Sequence, residues 1–238
     1  MKSIQYMKKP RIDFKKMAKF NQELTMHMLD ASAKNYLSPI VKNIEKNITN
    51  PDIVDDLKIY FIIRMITLLE NFFGSLAVRL VDIYNCPINN LFDDNNIQIP
   101  IQNLDEIKKH DVTKGKIIAS SFNFQTRHDI NHVFSILLEI KFLDEVKSIP
   151  MAKRYRNNKF VKWDKYLDLF SLRHKIVHDV SAKVNFSSTE INDISRATEL
   201  FTYLSSVTVF VQLYKKYPTV LKKDLPGIYQ FTEDLYGE

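Results

Sequence analysis

Apolar residues recur at helical spacing along most of the chain, and start and stop signals divide this pattern into separate helices. The clearest start is Asn50-Pro51-Asp52, which combines a cap residue, a proline at the first helical position and an acid in the first turn. The helix that follows is predicted to run to about Tyr84, before Pro87, either as one rod or as two pieces broken near Gly74. Because it is apolar on most faces, it is predicted to be the central core helix.

The rest of the chain has fewer start signals, but its pattern is also helical. Further helices are predicted over residues 13 to about 47, Arg127–Ser148, Phe160–Val180, Ser187–Lys216 and, as a short tail, from Leu221. The helix at Ser187 opens with a capping box completed by Glu190. Between residues 85 and 125 only Asn103–Lys109 has a helical pattern, so this region is interpreted as an irregular insertion or a functional loop. The sequence thus predicts an all-α bundle of about five to seven helices in one domain, residues 1–238.

Composition narrows the choice of fold and excludes several classes of enzyme. The chain has only 4 glycines, and they cannot form the GxGxxG, GxxxxGK[ST] or GxSxG motifs of dinucleotide-binding proteins, P-loop enzymes and hydrolases. Because Cys86 is the only cysteine in the sequence, an internal disulfide and a cysteine-based zinc site are excluded. Cys86 is interpreted as a structural residue. One cysteine in the whole chain is typical of a reducing compartment.

Charge and hydropathy bear on location and partners. The most apolar stretch, Ile59–Tyr84, is interrupted by polar and charged residues: Arg64, Glu70, Asn71, Arg79 and Asp82. A buried core helix tolerates such residues better than a bilayer span does, and the basic N-terminus lacks the apolar run of a secretory signal. We therefore expect a soluble cytoplasmic protein with no membrane partner. The net charge of +6 favours an anionic partner such as nucleic acid.

The predicted helix Phe160–Val180 carries an arginine and two histidines in close succession. The residues three and four positions from Arg173 are all apolar: Leu169, Phe170, Ile176 and Val177. An arginine in such a stripe is costly to bury unless it meets a carboxylate, a second subunit or a phosphate. His174 and His178 are four apart and share a helix face. Arg173 and His178 lie about 140° apart around an ideal helix, so they converge on one small target only if the helix distorts or a second copy contributes.

The run Arg173-His174, three residues, His178 resembles the Rx4-6H motif of HEPN domains, including the apolar pair before the second histidine. The segment Leu69–Phe73 is similar to the early core helix of that family, where Glu70 would be a supporting acid. The resemblance covers roughly residues 51–84 and 127–216. It implies a HEPN-like helical bundle, a homodimer that brings two motifs together, and RNA cleavage that needs neither metal ion nor cofactor.

The expected activity is that of an endoribonuclease, and its chemistry suits the three motif residues. His178 would take the 2′-OH proton, Arg173 would hold the developing charge on phosphorus, and His174 would orient His178 or contact phosphate. By resemblance, such a protein serves as a toxin or antiphage effector, with an antitoxin or defence partner. One alternative is a non-catalytic HEPN-like module that binds RNA, nucleotide or protein. Another is an unrelated helical interaction protein in which Arg173 is paired with an acid such as Glu70.

Two further groups of residues are candidates for RNA contacts or for a metal site. Lys153, Arg154, Tyr155 and Arg156 can hold backbone phosphates and stack on a base, although a solvated linker has the same composition. His128 and His132 have the spacing of a zinc-binding pair, but Asp129 replaces the glutamate of the zinc-protease motif and no third ligand is evident. We interpret this pair as solvated or as part of an interface. Arg127 beside it is able to contact RNA if its helix faces the site.

Overall fold

The computed structural model describes residues 46–48, 50–88, 91, 111–149, 176 and 187–236. Seven helices have both ends in this part of the chain: α1 (Pro51–Asp82), α2 (Lys114–Ser121), α3 (Arg127–Leu138), α4 (Phe142–Ser148), α5 (Ser188–Lys216), α6 (Pro218–Asp224) and α7 (Pro226–Tyr236). The described residues contain no strand, which confirms the predicted all-α class. The helices predicted over 13–47, Asn103–Lys109 and Phe160–Val180 fall outside the described residues, except for the helical residues 46, 47 and 176.

Helix α1 begins as its start signal predicts. The side chain of Asn50 accepts a hydrogen bond from the backbone N–H of Asp52 at 3.0 Å, and Pro51 occupies the first helical position. The helix then continues for 32 residues without interruption. It passes through Gly74, which is buried, so the alternative of two shorter pieces is wrong.

The core lies around α1, which contacts α2, α3 and α5. Phe73, with no solvent exposure, joins three of these helices: its ring lies 5.4 Å from that of Phe134 on α3 and 5.4 Å from that of Phe201 on α5. Residues Asp52–Asp82 are long and apolar enough, by length and composition, to cross a membrane, and most of their most apolar window is buried within the protein. The prediction that this segment forms the central core helix is confirmed.

Helix α2 was not predicted, because residues 85–125 were interpreted as irregular apart from Asn103–Lys109. Lys114–Ser121 is helical, and its residues from Gly115 to Ser120 are buried against the core. Two side chains satisfy its first backbone donors: Thr113 accepts from the N–H of Lys116, and Asp82 accepts from the N–H of Gly115 at 2.8 Å. Because Asp82 belongs to the end of α1, a sequence window around α2 does not contain this cap.

The single helix predicted over Arg127–Ser148 is in fact two, α3 and α4. The break falls at Glu139, whose backbone is left-handed (φ 56°, ψ 45°) and whose N–H bonds back to the end of α3. Distant side chains stabilise it: Lys216 donates to the carbonyl of Leu138 at 2.7 Å, and Asn131 accepts from the N–H of Leu143 at 3.1 Å. The local sequence has neither glycine nor proline at this point, so it did not predict the break.

The C-terminal helices begin at predictable residues but are more numerous than expected. At the start of α5, Ser187 and Glu190 form the predicted capping box, and the helix ends at Lys216 as predicted. Instead of one short helix from Leu221 there are two, α6 and α7, and each opens with a proline. The two prolines, Pro218 and Pro226, act as first-turn residues of new helices as well as ends of the preceding pattern.

An ion pair fastens α6 to the end of the core helix. The guanidinium of Arg79 on α1 donates two hydrogen bonds, at 2.9 and 2.8 Å, to the two carboxylate oxygens of Asp224. The hydroxyl of Tyr84 donates to the same carboxylate at 2.8 Å. Burial alone would raise the pKa of Asp224, but the hydrogen bonds from Arg79 and Tyr84 outweigh it and hold the pKa below its ordinary value of 3.8.

Replacing Asp224 with asparagine is expected to lower the free energy of unfolding by about 1.5 kcal/mol near neutral pH, since Arg79 loses its counter-charge at a half-buried position. A carboxylate with a lowered pKa stabilises the fold above its ordinary pKa, and that contribution is lost as the pH falls through the folded-state value. The difference in free energy of unfolding between Asp224→Asn and the unchanged protein should therefore be smaller at about pH 3 than near neutral pH. Denaturant unfolding at both pH values measures it. The exposed Asp56→Asn is the control, and a difference independent of pH contradicts the assignment.

Candidate functional site

The residues predicted to act on RNA are divided between the described and the remaining parts of the chain. Arg173, His174 and His178 lie outside the described residues, as do the four residues Lys153–Arg156. Within the motif, Ile176 is helical and half-buried, as expected for its place in the apolar stripe. Glu70, the predicted supporting acid, lies on α1 within the described part.

Glu70 is a carboxylate set into the core helix, with only 9% of its surface exposed. One of its oxygens accepts a hydrogen bond from the side-chain amide of Gln125 at 2.6 Å. On the same helix, Leu69 and Phe73 belong to the apolar core. A carboxylate among such neighbours is costly unless it is hydrogen-bonded, and Gln125 supplies a donor and fixes the direction of the group.

Gln125 owes its position to a polar turn between α2 and α3. The side chain of Asn123 accepts from the N–H of Gln125 at 3.2 Å, and Thr126 caps α3 by accepting from the N–H of Asp129 at 3.0 Å. Phe124 between them is fully buried and packs against Phe134. The alternation of buried and polar side chains anchors the turn and directs Gln125 towards α1.

Three aromatic rings lie close together between the end of α2 and the first turns of α3. The imidazoles of His128 and His132 are stacked, with centroids 6.2 Å apart and ring planes inclined by 10°. The ring of Phe122 lies 6.0 Å from that of His132, with 48° between the two ring planes. His128 is exposed, while His132 and Phe122 are half-buried, and we call these three side chains the ring row. The neighbouring Arg127 is exposed as well.

Two further kinds of site were sought among the described residues: a cluster of metal ligands and a reactive thiol. No group of three or more histidine, cysteine, aspartate or glutamate side chains there is arranged to hold a metal ion. Cys86 is buried, and burial raises the pKa of its thiol to about 11. A thiol with that pKa stays protonated near neutral pH and is a poor nucleophile, in line with the structural role predicted for it.

Two residues of this region, Gln125 and Phe122, were not identified from the sequence. Gln125 contacts Glu70 across 55 positions of sequence, and the contact depends on how α1 packs against α3. The run Asn123-Phe124-Gln125-Thr126 does contain a local signal, since asparagine and threonine at that spacing are typical of a turn that leads into a helix.

Comparison with known proteins does not add an assignment. The chain matches no protein-family model, and searches of curated proteins and of solved structures likewise found no match.

Proposed function

We propose that the protein is a metal-independent endoribonuclease that acts as a homodimer, with Arg173 and His178 at a composite catalytic centre and His174 assisting. The observation that carries the proposal is the run Arg173-His174, three residues, His178, which resembles the Rx4-6H motif of HEPN domains. The histidine is suited to acid–base chemistry near neutral pH, and the arginine supplies a cation for the phosphate. The proposed setting is the cytoplasm, where the enzyme would serve as a toxin or an antiphage effector with an antitoxin or defence partner.

Each step of the proposed reaction uses a side chain of this chain. His178 removes the proton from a ribose 2′-OH, and the resulting oxygen attacks the adjacent phosphorus. The guanidinium of Arg173 stabilises the charge that accumulates on the phosphoryl oxygens. The bond to the 5′ oxygen then breaks, and that oxygen takes up, through water, the proton that His178 removed. The products are a 2′,3′-cyclic phosphate on one fragment and a 5′-hydroxyl on the other.

The proposal for a homodimer has a geometric reason. Arg173 and His178 are about 140° apart around an ideal helix, so one straight helix does not present both to the same phosphate. Two motif helices related by a two-fold axis would bury their apolar stripes against each other, and each arginine would face the histidine of the other copy. Glu70, a buried side chain hydrogen-bonded to Gln125, is the proposed supporting acid of this site.

The test of this function is cleavage without metal. Purified protein treated with EDTA is expected to cut RNA as fast as untreated protein and to leave 2′,3′-cyclic phosphate ends, because imidazole and guanidinium supply both required groups. End-group analysis by mass spectrometry measures the product, and a His178→Ala preparation made in parallel controls for contaminating nucleases. Strict dependence on added Mg²⁺ or Mn²⁺ would refute the mechanism.

A further inference from the structure

We propose that the ring row, together with Arg127, is a stacking platform for unpaired bases of a single-stranded RNA. The choice of RNA as occupant rests on the proposed function. The platform itself rests on the geometry of the rings between the end of α2 and the first turns of α3. The rings of His128 and His132 have centroids 6.2 Å apart and planes inclined by 10°, and the ring of Phe122 lies 6.0 Å from His132 at an angle of 48°. Such rings offer flat faces to nucleobases, and stacking accepts every base because every base has a π-face.

The two histidines are arranged for stacking rather than for chelation. The planes of the His128 and His132 rings are inclined by only 10°, so both rings present their flat faces in nearly the same direction. A structural zinc site needs more protein ligands than two histidines. The described residues also provide no third ligand. The spacing that resembles a zinc-binding pair is therefore better explained as a pair of parallel faces.

Local charge indicates that stacking provides most of the affinity. Arg127 is exposed and can meet one phosphate, while Asp129, half-buried in the same turn, carries the opposite charge. For single strands, the logarithm of the binding constant falls with that of the salt concentration by about 0.7 for each phosphate neutralised. Loss of Arg127 should accordingly change the slope by about 0.7, whereas loss of the rings should weaken binding and leave the slope unchanged.

The platform lies close to the acid that the proposed site would use. Gln125 precedes Arg127 by two residues, and its amide is bonded to the carboxylate of Glu70 at 2.6 Å. The turn that carries Gln125 thus connects the residues of the ring row to Glu70. Base-paired RNA stacks its bases on each other and leaves no face free within the helix, so the platform favours single strands and loops over duplex.

The experiment measures RNA binding in a protein that is unable to cut. In a His178→Ala background, fluorescence anisotropy with a labelled single-stranded RNA is compared before and after the double change His128→Ala/His132→Ala. Loss of stacking by one base weakens binding by roughly 5- to 150-fold, and we expect a loss in this range for single-stranded RNA. Binding of a duplex of equal length should stay within about twofold of its starting value.

Two further variants identify the cause of any loss. His128→Phe/His132→Phe keeps the flat rings but removes the metal-binding nitrogens and the titratable groups, so it should bind single-stranded RNA as the unchanged rings do. Tyr60→Ala removes a ring that is 65% exposed on a different helix, α1, and should bind normally. If the alanine double variant binds as tightly as its parent, or if the phenylalanine variant is as weak as the alanine variant, the platform is refuted. It is also refuted if Zn²⁺ raises the melting temperature and this rise disappears in both double variants, because the pair is then a chelate.

The outcomes separate this inference from the proposed function. If the protein never cuts RNA but binds it through the ring row, the nuclease assignment is wrong and the platform is supported. If the protein cuts RNA and His128→Ala/His132→Ala leaves its RNA binding unchanged, the nuclease assignment is supported and the platform is refuted. Absence of any binding to single-stranded RNA refutes the platform.

Discussion

Replacing Gly115 with alanine is expected to destabilise the protein by about 3 kcal/mol, the largest loss of stability we predict from a single methyl group. Gly115 lies at the start of α2, where this helix crosses the end of α1. A Cβ there would lie 2.6 Å from the carbonyl oxygen and 2.8 Å from the Cα of Val78, and 2.9 Å from the carboxyl carbon of Asp82. Two of these atoms are backbone, so relief requires α1 and α2 to separate and weakens the cap that Asp82 makes to the N–H of Gly115.

Intrinsic helix preference predicts the opposite sign, which makes this test informative. Alanine is favoured over glycine by about 1 kcal/mol within a helix, and only the close approach to Val78 reverses that advantage. Gly227, in the first turn of α7, is the matched control because a Cβ there meets nothing within 4 Å. Gly227→Ala should be neutral or stabilising by up to about 1 kcal/mol. Denaturant unfolding of both variants measures the difference, and equal stability of the two would contradict the packing of α2 on α1.

The sequence predicted the fold best where a helix end is determined by its own neighbouring residues. Asn50 caps α1, and Ser187 and Glu190 cap α5, through contacts that span two or three positions. It failed where the cap comes from elsewhere in the chain. Helix α2 depends on Asp82, 33 residues before Gly115, and the end of α3 depends on Lys216, 78 residues after Leu138. No local pattern contains such contacts, so α2 was missed and the break between α3 and α4 was not predicted.

The same distinction applies to the candidate site. Glu70 was identified because a family resemblance attached a role to an acid in the core helix, and the structure adds that the acid is buried and hydrogen-bonded. The partner, Gln125, has no distinguishing sequence feature, since a glutamine in a turn is ordinary. His128 and His132 were noticed for their spacing, but spacing does not determine the angle between two rings. That angle, 10°, is an observation on which the proposed stacking surface depends.

Replacing His178 with alanine is expected to reduce the rate of RNA cleavage by roughly 10²–10⁴-fold or more, because general acid–base catalysis alone contributes a factor in that range. The loss should appear in kcat more than in KM, because the proton transfer occurs in the transition state while Arg173 and the RNA-binding residues still bind the substrate. The melting temperature should change little, since the proposed role of His178 is chemical. Single-turnover cleavage and thermal unfolding, measured on the same preparation, separate the two effects. A variant that unfolds would show that the histidine belongs to the core and would end the catalytic assignment.

The composite centre provides the control for this loss of activity. Arg173→Ala should be inactive for a different reason, because it removes the cation that stabilises the phosphoryl charge. When the two inactive chains are mixed and allowed to exchange subunits, a heterodimer keeps one complete arginine–histidine pair across the two-fold axis, and part of the activity should return. Neither variant alone, nor each mixed with itself, should recover. Light scattering should show a dimer at the same concentration. A strictly monomeric protein with full activity would instead require Arg173 to find its partner within its own chain, and Glu70, a buried carboxylate with a fixed direction, is the first residue to change in that case.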